Sequence, residues 1–255
     1  MTIDTNAYLS RWPFRRLAGD APSAFVSHMR EQGVSEAWVG SFDGLLHRDV
    51  GAVNARLAAD CKNFGNGMLV PFGTINPKLP DWQEDLRRCR ELYGMPGIRL
   101  HPNYHGYSLA DPEFSDVLRR ASAAGMIVQL AVQMEDERTQ HPLMRVPPVK
   151  LDPLPDIVRT MPSLRLVILN LGAVPGRKKI AAAGQVYFDF AMVEHIVGVA
   201  DLAAEVSRDR VVFGSHFPLY YLESAAMKVR EAGFDEVGVK AVSMDNARRI
   251  LPARS

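Results

Sequence analysis

The chain has little cysteine: Cys61 and Cys89 are the only two in 255 residues. So few thiols argue against a small disulfide-stapled secreted fold and suit a reducing compartment. The first twenty residues carry no apolar stretch of the kind a secretory leader needs, because Arg11, Arg15, Arg16 and Asp20 interrupt it. No window approaches the roughly 18 uninterrupted apolar residues of a membrane span. The expectation is a cytoplasmic protein without membrane association. The formal net charge is only +1, and the densest basic run is Arg177-Lys178-Lys179. A nucleic-acid partner, which needs a concentrated basic surface, is therefore not expected. Repeats, low-complexity tracts and long linkers are also missing, so residues 1–255 read as one domain.

What is present is an ordinary globular composition, 47% hydrophobic and 23% charged, arranged in alternating blocks. Short apolar runs lie at Thr2–Tyr8, Glu36–Ser41, Met68–Ile75, Gly97–His101, Met126–Ala131, Leu164–Asn170, Val186–Phe190 and Arg210–Ser215. Runs of this length suit buried parallel strands. Amphipathic stretches follow them at 22–30, 45–62, 82–93, 112–124, 153–161, 194–206 and 218–232, with further helix over 235–251. In one of these, Asp111-Pro112-Glu113 is a helix start, Phe114, Val117, Leu118 and Ala121 share a face, and Gly125 closes it. Strand followed by helix, eight times over, predicts an α/β fold and a (β/α)8 TIM barrel, with the doubly wound open sheet as the competing arrangement. The irregular stretch 133–151 is long for a βα connection and is either an active-site lid or a plain insertion.

In a barrel, chemistry sits at the C-terminal strand ends. Those ends are polar here: Asp4, Asn6 and Tyr8; then Arg99, His101, Asn103 and His105; then Gln129, Gln133, Asp136 and Arg138; then Asn170, Asp189, Ser215 and His216. Arg99 and His101 share one strand face, and the guanidinium would either grip a substrate carboxylate or pair with Asp4 or Asp189. Asp136 and Arg138 are either a lid salt bridge or substrate contacts. Pro102 and Gly106 argue against a helix that would pair His101 with His105 as metal ligands.

Several segments in register resemble the amidohydrolase superfamily, in the branch that includes aminocarboxymuconate-semialdehyde decarboxylase. They are Asp4-Thr5-Asn6-Ala7-Tyr8, the stretch from Gly97 to Pro102, Pro162–Gly172, Phe213-Gly214-Ser215-His216-Phe217-Pro218 and Asn246-Ala247. The resemblance implies a metal-dependent-hydrolase-like barrel whose ligands are two strand-one histidines, histidines after strands five and six, and a strand-eight aspartate. Here those positions read Asn6, Tyr8, a non-histidine near Gln129–Ala131, Asn170 and His216. Zinc-like ions take imidazole, thiolate or carboxylate, and amides and phenols serve them poorly. The expectation is thus a degenerate metal site, no metal ligands and no cofactor.

On this reading the chain is a hydrolase of a small, anionic ester, lactone or amide. His216 is the general base, Asn6, Tyr8 and Asn170 orient or stabilise, and Arg99, His101, Asn103, Gln129, Asp136 and Arg138 bind substrate. The alternatives are a catalytically silent barrel that binds a small anion or acts as scaffold, and a metal-dependent hydrolase or decarboxylase with a rearranged site. A homo-oligomer is compatible with every one of them.

Overall fold

The structure is a computed structural model that describes residues 1–172 and 174–251. Seven strands form one parallel sheet in chain order: β1 (Thr2–Leu9), β2 (Val34–Ser41), β3 (Leu69–Thr74), β4 (Gly97–Leu100), β5 (Ile127–Ala131), β6 (Arg165–Leu169) and β7 (Gln185–Phe188). Each strand pairs only with its sequence neighbours, which is the order a rolled sheet requires and a doubly wound sheet lacks.

The expected eighth strand, Arg210–Ser215, is not a strand. Its segment makes isolated bridges instead, Val211 to Phe188 of β7 and Phe217 to Ala7 of β1. Around them the Val212 amide donates to the Phe188 carbonyl at 2.9 Å, the Thr5 amide to Phe213 at 2.8 Å and the His216 amide to Asn6 at 2.7 Å. The segment therefore lies between the two edges of the sheet, but side chains replace part of its ladder. The Asp4 carboxylate accepts from the Ser215 amide at 3.0 Å, and the Ser215 hydroxyl accepts from the Phe217 amide at 3.0 Å. Polar side chains that bond the local backbone in this way compete with strand formation.

The helices are α1 (Pro22–Glu31), α2 (Val50–Gly65), α3 (Trp82–Arg87, continuing in a π turn to Leu92), α4 (Pro102–His105), α5 (Pro112–Ala123), α6 (Leu154–Arg159), α7 (Arg177–Ala181), α8 (Gly198–Val206), α9 (Leu222–Glu231), α10 (Glu236–Lys240) and α11 (Asn246–Ile250). In α5, Phe114, Val117, Leu118 and Ala121 are all buried, as their spacing predicts. Burying each large apolar chain contributes about 1.5–3 kcal/mol. Asp111 stands at the cap position but makes no cap bond, because Ser108 and Lys78 hold its carboxylate at 2.8 and 3.0 Å. The expected break after His101 is corrected too. Pro102 and Gly106 bracket a single helical turn rather than preventing it, with proline at the first position and glycine at φ +68° after the last. Asn246 donates to the Val211 carbonyl at 2.7 Å and to Arg208 at 2.8 Å, tying the closing helix to the bridging segment. Cys61 and Cys89 are free and buried. Among the described residues no helix is long and apolar enough to cross a membrane.

The core has two main layers. Phe25, Met29, Leu57, Leu118, Leu166 and Leu202 belong to the larger cluster between sheet and helices. Ile3, Trp38, Phe72, Ile127, Val167 and Val212 form a second, with Met244 and Ile250 of the closing helical segment. Two residues along from Ile127, the same face of β5 presents Gln129, which pairs across to Arg99. The sheet thus changes from apolar to polar toward its C-terminal ends.

Arg99 marks that change. It is fully buried, and its Nε donates to Gln129 Oε1 at 2.8 Å, its Nη1 to the Ala7 carbonyl at 2.9 Å and its Nη2 to Trp38 at 3.1 Å. Its guanidinium lies 4.3 Å over the Tyr8 ring, a cation–π contact. Gly40 makes room for it: a Cβ there would stand 2.9 Å from Nη1 and 3.1 Å from Cδ of Arg99. Gly40→Ala should therefore displace the guanidinium and cost about 1–3 kcal/mol, read as a lower urea midpoint with unchanged slope. An unaltered midpoint would contradict this packing.

Candidate functional site

Six residues expected at strand ends do converge: Asn6, Tyr8, His101, Asn170, Asp189 and His216. The Asn6 side-chain amide donates to Asn170 Oδ1 at 2.7 Å and to Asp189 Oδ2 at 2.6 Å. Asn170 Nδ2 donates to the Gln133 carbonyl at 2.8 Å and faces His216 Nδ1 at 3.4 Å. Tyr8 packs edge-on to His216, ring centres 5.4 Å apart, and its hydroxyl bonds His101 Nε2 at 3.1 Å. All five of Asn6, Tyr8, His101, Asn170 and His216 are buried. Asn170 and His216 both hold left-handed backbone, at φ 61° and 59°. Such positions cost about 1–3 kcal/mol for ordinary residues and collect at functional sites, although asparagine and histidine tolerate them better than most.

His216 bonds the Met134 carbonyl through Nε2 at 2.8 Å. That bond makes Nε2 the protonated nitrogen and leaves Nδ1 as an acceptor toward Asn170. Burial drives its pKa down to about 3, so the imidazole is neutral. His101 is likewise held well below its ordinary value by burial, with His105 adding to the effect. The carboxyls move the opposite way: burial pushes Asp189 up to about 7 and Asp4 up to about 6. Asp189 also accepts from the Asn170 amide at 2.8 Å, and Asp4 pairs with the Ser215 hydroxyl. Gly214 lets these groups meet, since a Cβ there would lie 2.7 Å from Asp189 Cβ and 3.0 Å from Asn6 Cβ.

The remaining candidates are more scattered. Arg99 makes no ion pair with Asp4 or Asp189, nor with any other carboxylate of the described residues. Its donors go to Gln129 and to two backbone carbonyls, away from open space. Asn103 Nδ2 bonds the Pro147 carbonyl and fastens the irregular stretch to α4. Asp136 and Arg138 pair with each other at 2.5 Å, with the arginine exposed. The 133–151 stretch covers the site through Gln133 and Met134, whose carbonyls hold Asn170 and His216.

Beside this cluster lies a cavity of about 650 Å³, lined among others by Gln133, Asp136, Ser215, Leu219, Tyr220 and Lys228. A second groove, about 780 Å³, runs along Arg16, His28, Phe217 and Tyr221 on the other side of the 219–221 segment. Lys228 escaped the sequence reading, which searched strand ends; it comes from α9, where a lysine at helical spacing reads as solvated surface.

A parallel α/β sheet in simple chain order, with polar and titratable side chains gathered at its C-terminal strand ends, defines a TIM-barrel-like α/β class. Residues 11–253 match the sequence profile of the amidohydrolase family, and the chain belongs to that family. No curated protein matches it in sequence. Among solved structures it is similar to 5-carboxyvanillate decarboxylase from Sphingomonas paucimobilis, with 13% identity, TM-score 0.75 and 98% of each chain covered. It is also similar to the 5-carboxyvanillate decarboxylase of Novosphingobium aromaticivorans complexed with manganese and 4-hydroxy-3-methoxy-5-nitrobenzoic acid (13%, 0.76, 98% of this chain and 95% of the other). A third is the dihydroxybenzoic acid decarboxylase of Polaromonas sp. JS666 with bound manganese and 2-nitroresorcinol (13%, 0.72, 98% and 96%).

These structures correct the expectation of no cofactor, because proteins of this fold that resemble the chain hold a divalent metal. The donor chemistry of the chain's own residues fits such an ion poorly. Among the described residues no group of three histidines, cysteines or acids could hold one. The Asn6 amide nitrogen, not its oxygen, faces Asn170 and Asp189; the oxygen is buried without a partner.

The titrating groups set opposed pH trends. Asp189 is raised from 3.8 to about 7 in the folded chain. Its contribution to stability is full below its ordinary pKa and is lost as pH rises through the folded value. His216 is lowered from 6.5 to about 3, so its contribution is present above the ordinary value and lost as pH falls. Asp189→Asn removes the first trend and keeps the second. The melting temperature of the variant, relative to the parent, should rise steadily from pH 4 to pH 7; parallel profiles would refute the assignment.

Proposed function

We propose that this chain is an amidohydrolase-superfamily enzyme that decarboxylates a small anionic, carboxylated molecule, in a sheet closed as a (β/α)8 barrel by the 211–217 segment. The observation that carries the reading is the convergence of Asn6, Tyr8, Asn170, Asp189 and His216 beside a cavity large enough for one substituted ring. The similar proteins named above support decarboxylation over hydrolysis, and their divalent metal makes manganese the ion to supply in an assay.

Loss of CO2 breaks the bond between the carboxyl carbon and its neighbour, and the electron pair left behind takes up a proton. Asp189, with a pKa near 7, can hold and release that proton at neutral pH, where general acids work best. Asn6 bonds Asp189 directly and Asn170 bonds it through its backbone amide, so the two orient it. Neutral His216 and the Tyr8 hydroxyl are buried behind the cavity wall, where they brace Asn170, His101 and the Met134 carbonyl. The hydrolase reading needs His216 as a base, and its depressed pKa with Nε2 bonded to Met134 disfavours that role. A silent, anion-binding barrel is the second reading, favoured by the way Asn6 and Arg99 direct their donors inward.

The test is CO2 release from 5-carboxyvanillate and dihydroxybenzoic acids with manganese added. Turnover is expected, falling by about 100-fold in Asp189→Asn and in His216→Asn. Absence of CO2 release from every such acid, or full activity in Asp189→Asn, would overturn the proposal.

A further inference from the structure

Lys228 is a half-buried cation with no carboxylate in ion-pair contact among the described residues; Asp189 and Glu194 act on it only from farther away. Its Nζ donates to the Ala191 carbonyl at 2.8 Å and to Phe190 at 3.4 Å, and it forms no ion pair among the described residues. Two carbonyls engage two of its three N–H groups, and the third is left for the cavity that the side chain lines. Both carbonyls belong to the stretch after β7, one and two residues beyond Asp189, so the ammonium is fixed beside the titrating cluster. The acidic groups on the same rim are engaged elsewhere: Asp136 pairs with Arg138 at 2.5 Å, and Glu194 is exposed and lies 3.8 Å from the same arginine. Met192, Leu219, Tyr220 and Tyr221 supply apolar and aromatic wall, and Ser215 and Ser224 add hydroxyl-bearing residues.

A partly desolvated ammonium held by carbonyls, facing an open cavity and with no carboxylate in contact, has a free N–H that an anion in the cavity can accept from. We propose that Lys228 is the anchor for the carboxylate of an aromatic acid bound in this cavity, with the ring against Tyr220 and Leu219. The proposal deepens the decarboxylase reading and rests on it for the identity of the site, but its test reads binding alone.

The probes are benzoate and its neutral isostere benzamide, titrated calorimetrically into the full chain. The parent should prefer benzoate. Lys228→Met should lose about tenfold or more of that affinity, as expected for a charge-assisted hydrogen bond, with benzamide binding unchanged, and Lys228→Arg should retain most of it. In the parent chain, benzoate but not benzamide should slow acetylation of Lys228 read by mass spectrometry, which tests the contact even where a variant folds badly. Equal benzoate affinity in parent and Lys228→Met, no benzoate binding by the parent, or acetylation unaffected by benzoate would overturn the anchor. Benzoate binding through Lys228 without CO2 release from any acid would sink the decarboxylase reading and leave the anchor standing.

Discussion

The buried guanidinium of Arg99 is the constraint around which the strand ends are arranged. A fully desolvated cation in an otherwise apolar interior is tolerated only when its donors are met, and here β1, β2 and β5 each supply an acceptor. Gln129 passes the connection on, donating to the Thr5 carbonyl at 2.7 Å. One side chain of β4 therefore ties three other strands together above the apolar layer of Trp38, Phe72 and Val167. Gly40 and Tyr8 shape the space it occupies.

That arrangement decides what the neighbouring polar groups can be. With the cation held by neutral acceptors, Asp4 and Asp189 receive little charge compensation, and burial raises both. The same dry environment keeps His101 and His216 uncharged. The result is a cluster of neutral hydrogen-bonding groups whose acids titrate near neutrality, which is the condition under which a carboxyl group exchanges protons usefully at physiological pH. The open space lies beside the cluster rather than within it. The proposed chemistry on a small anion would thus be divided between a proton-holding interior and an adjoining cavity.

Much of this architecture was legible in the order of apolar runs. Seven of the eight predicted strands form close to their expected positions, because buried parallel strands are short, continuous and apolar. The eighth failed for a reason invisible in hydropathy: Asp4, more than two hundred residues away, takes the Ser215 amide that a ladder would use. The convergence of Asn6, Asn170 and His216 followed from the positions of strand ends alone. Arg99 was expected to meet a substrate or a carboxylate and instead meets carbonyls, whose positions depend on backbone packing that sequence does not encode locally. The turn at Pro102–His105 and the unused cap at Asp111 show the same limit, since each depends on a neighbour distant in the chain or on a bracket read as a break. The cofactor expectation erred by weighing ligand chemistry without the metal-bound relatives of the fold.

The most direct measurement is a crystal structure of the chain soaked with manganese and 5-carboxyvanillate, with the ion located by its anomalous scattering. The account predicts the acid in the cavity between Tyr220 and Lys228, with a carboxylate oxygen about 2.8 Å from Nζ. An acid lodged in the groove between Arg16 and His28, or clear density for an empty cavity at saturating ligand, would contradict it.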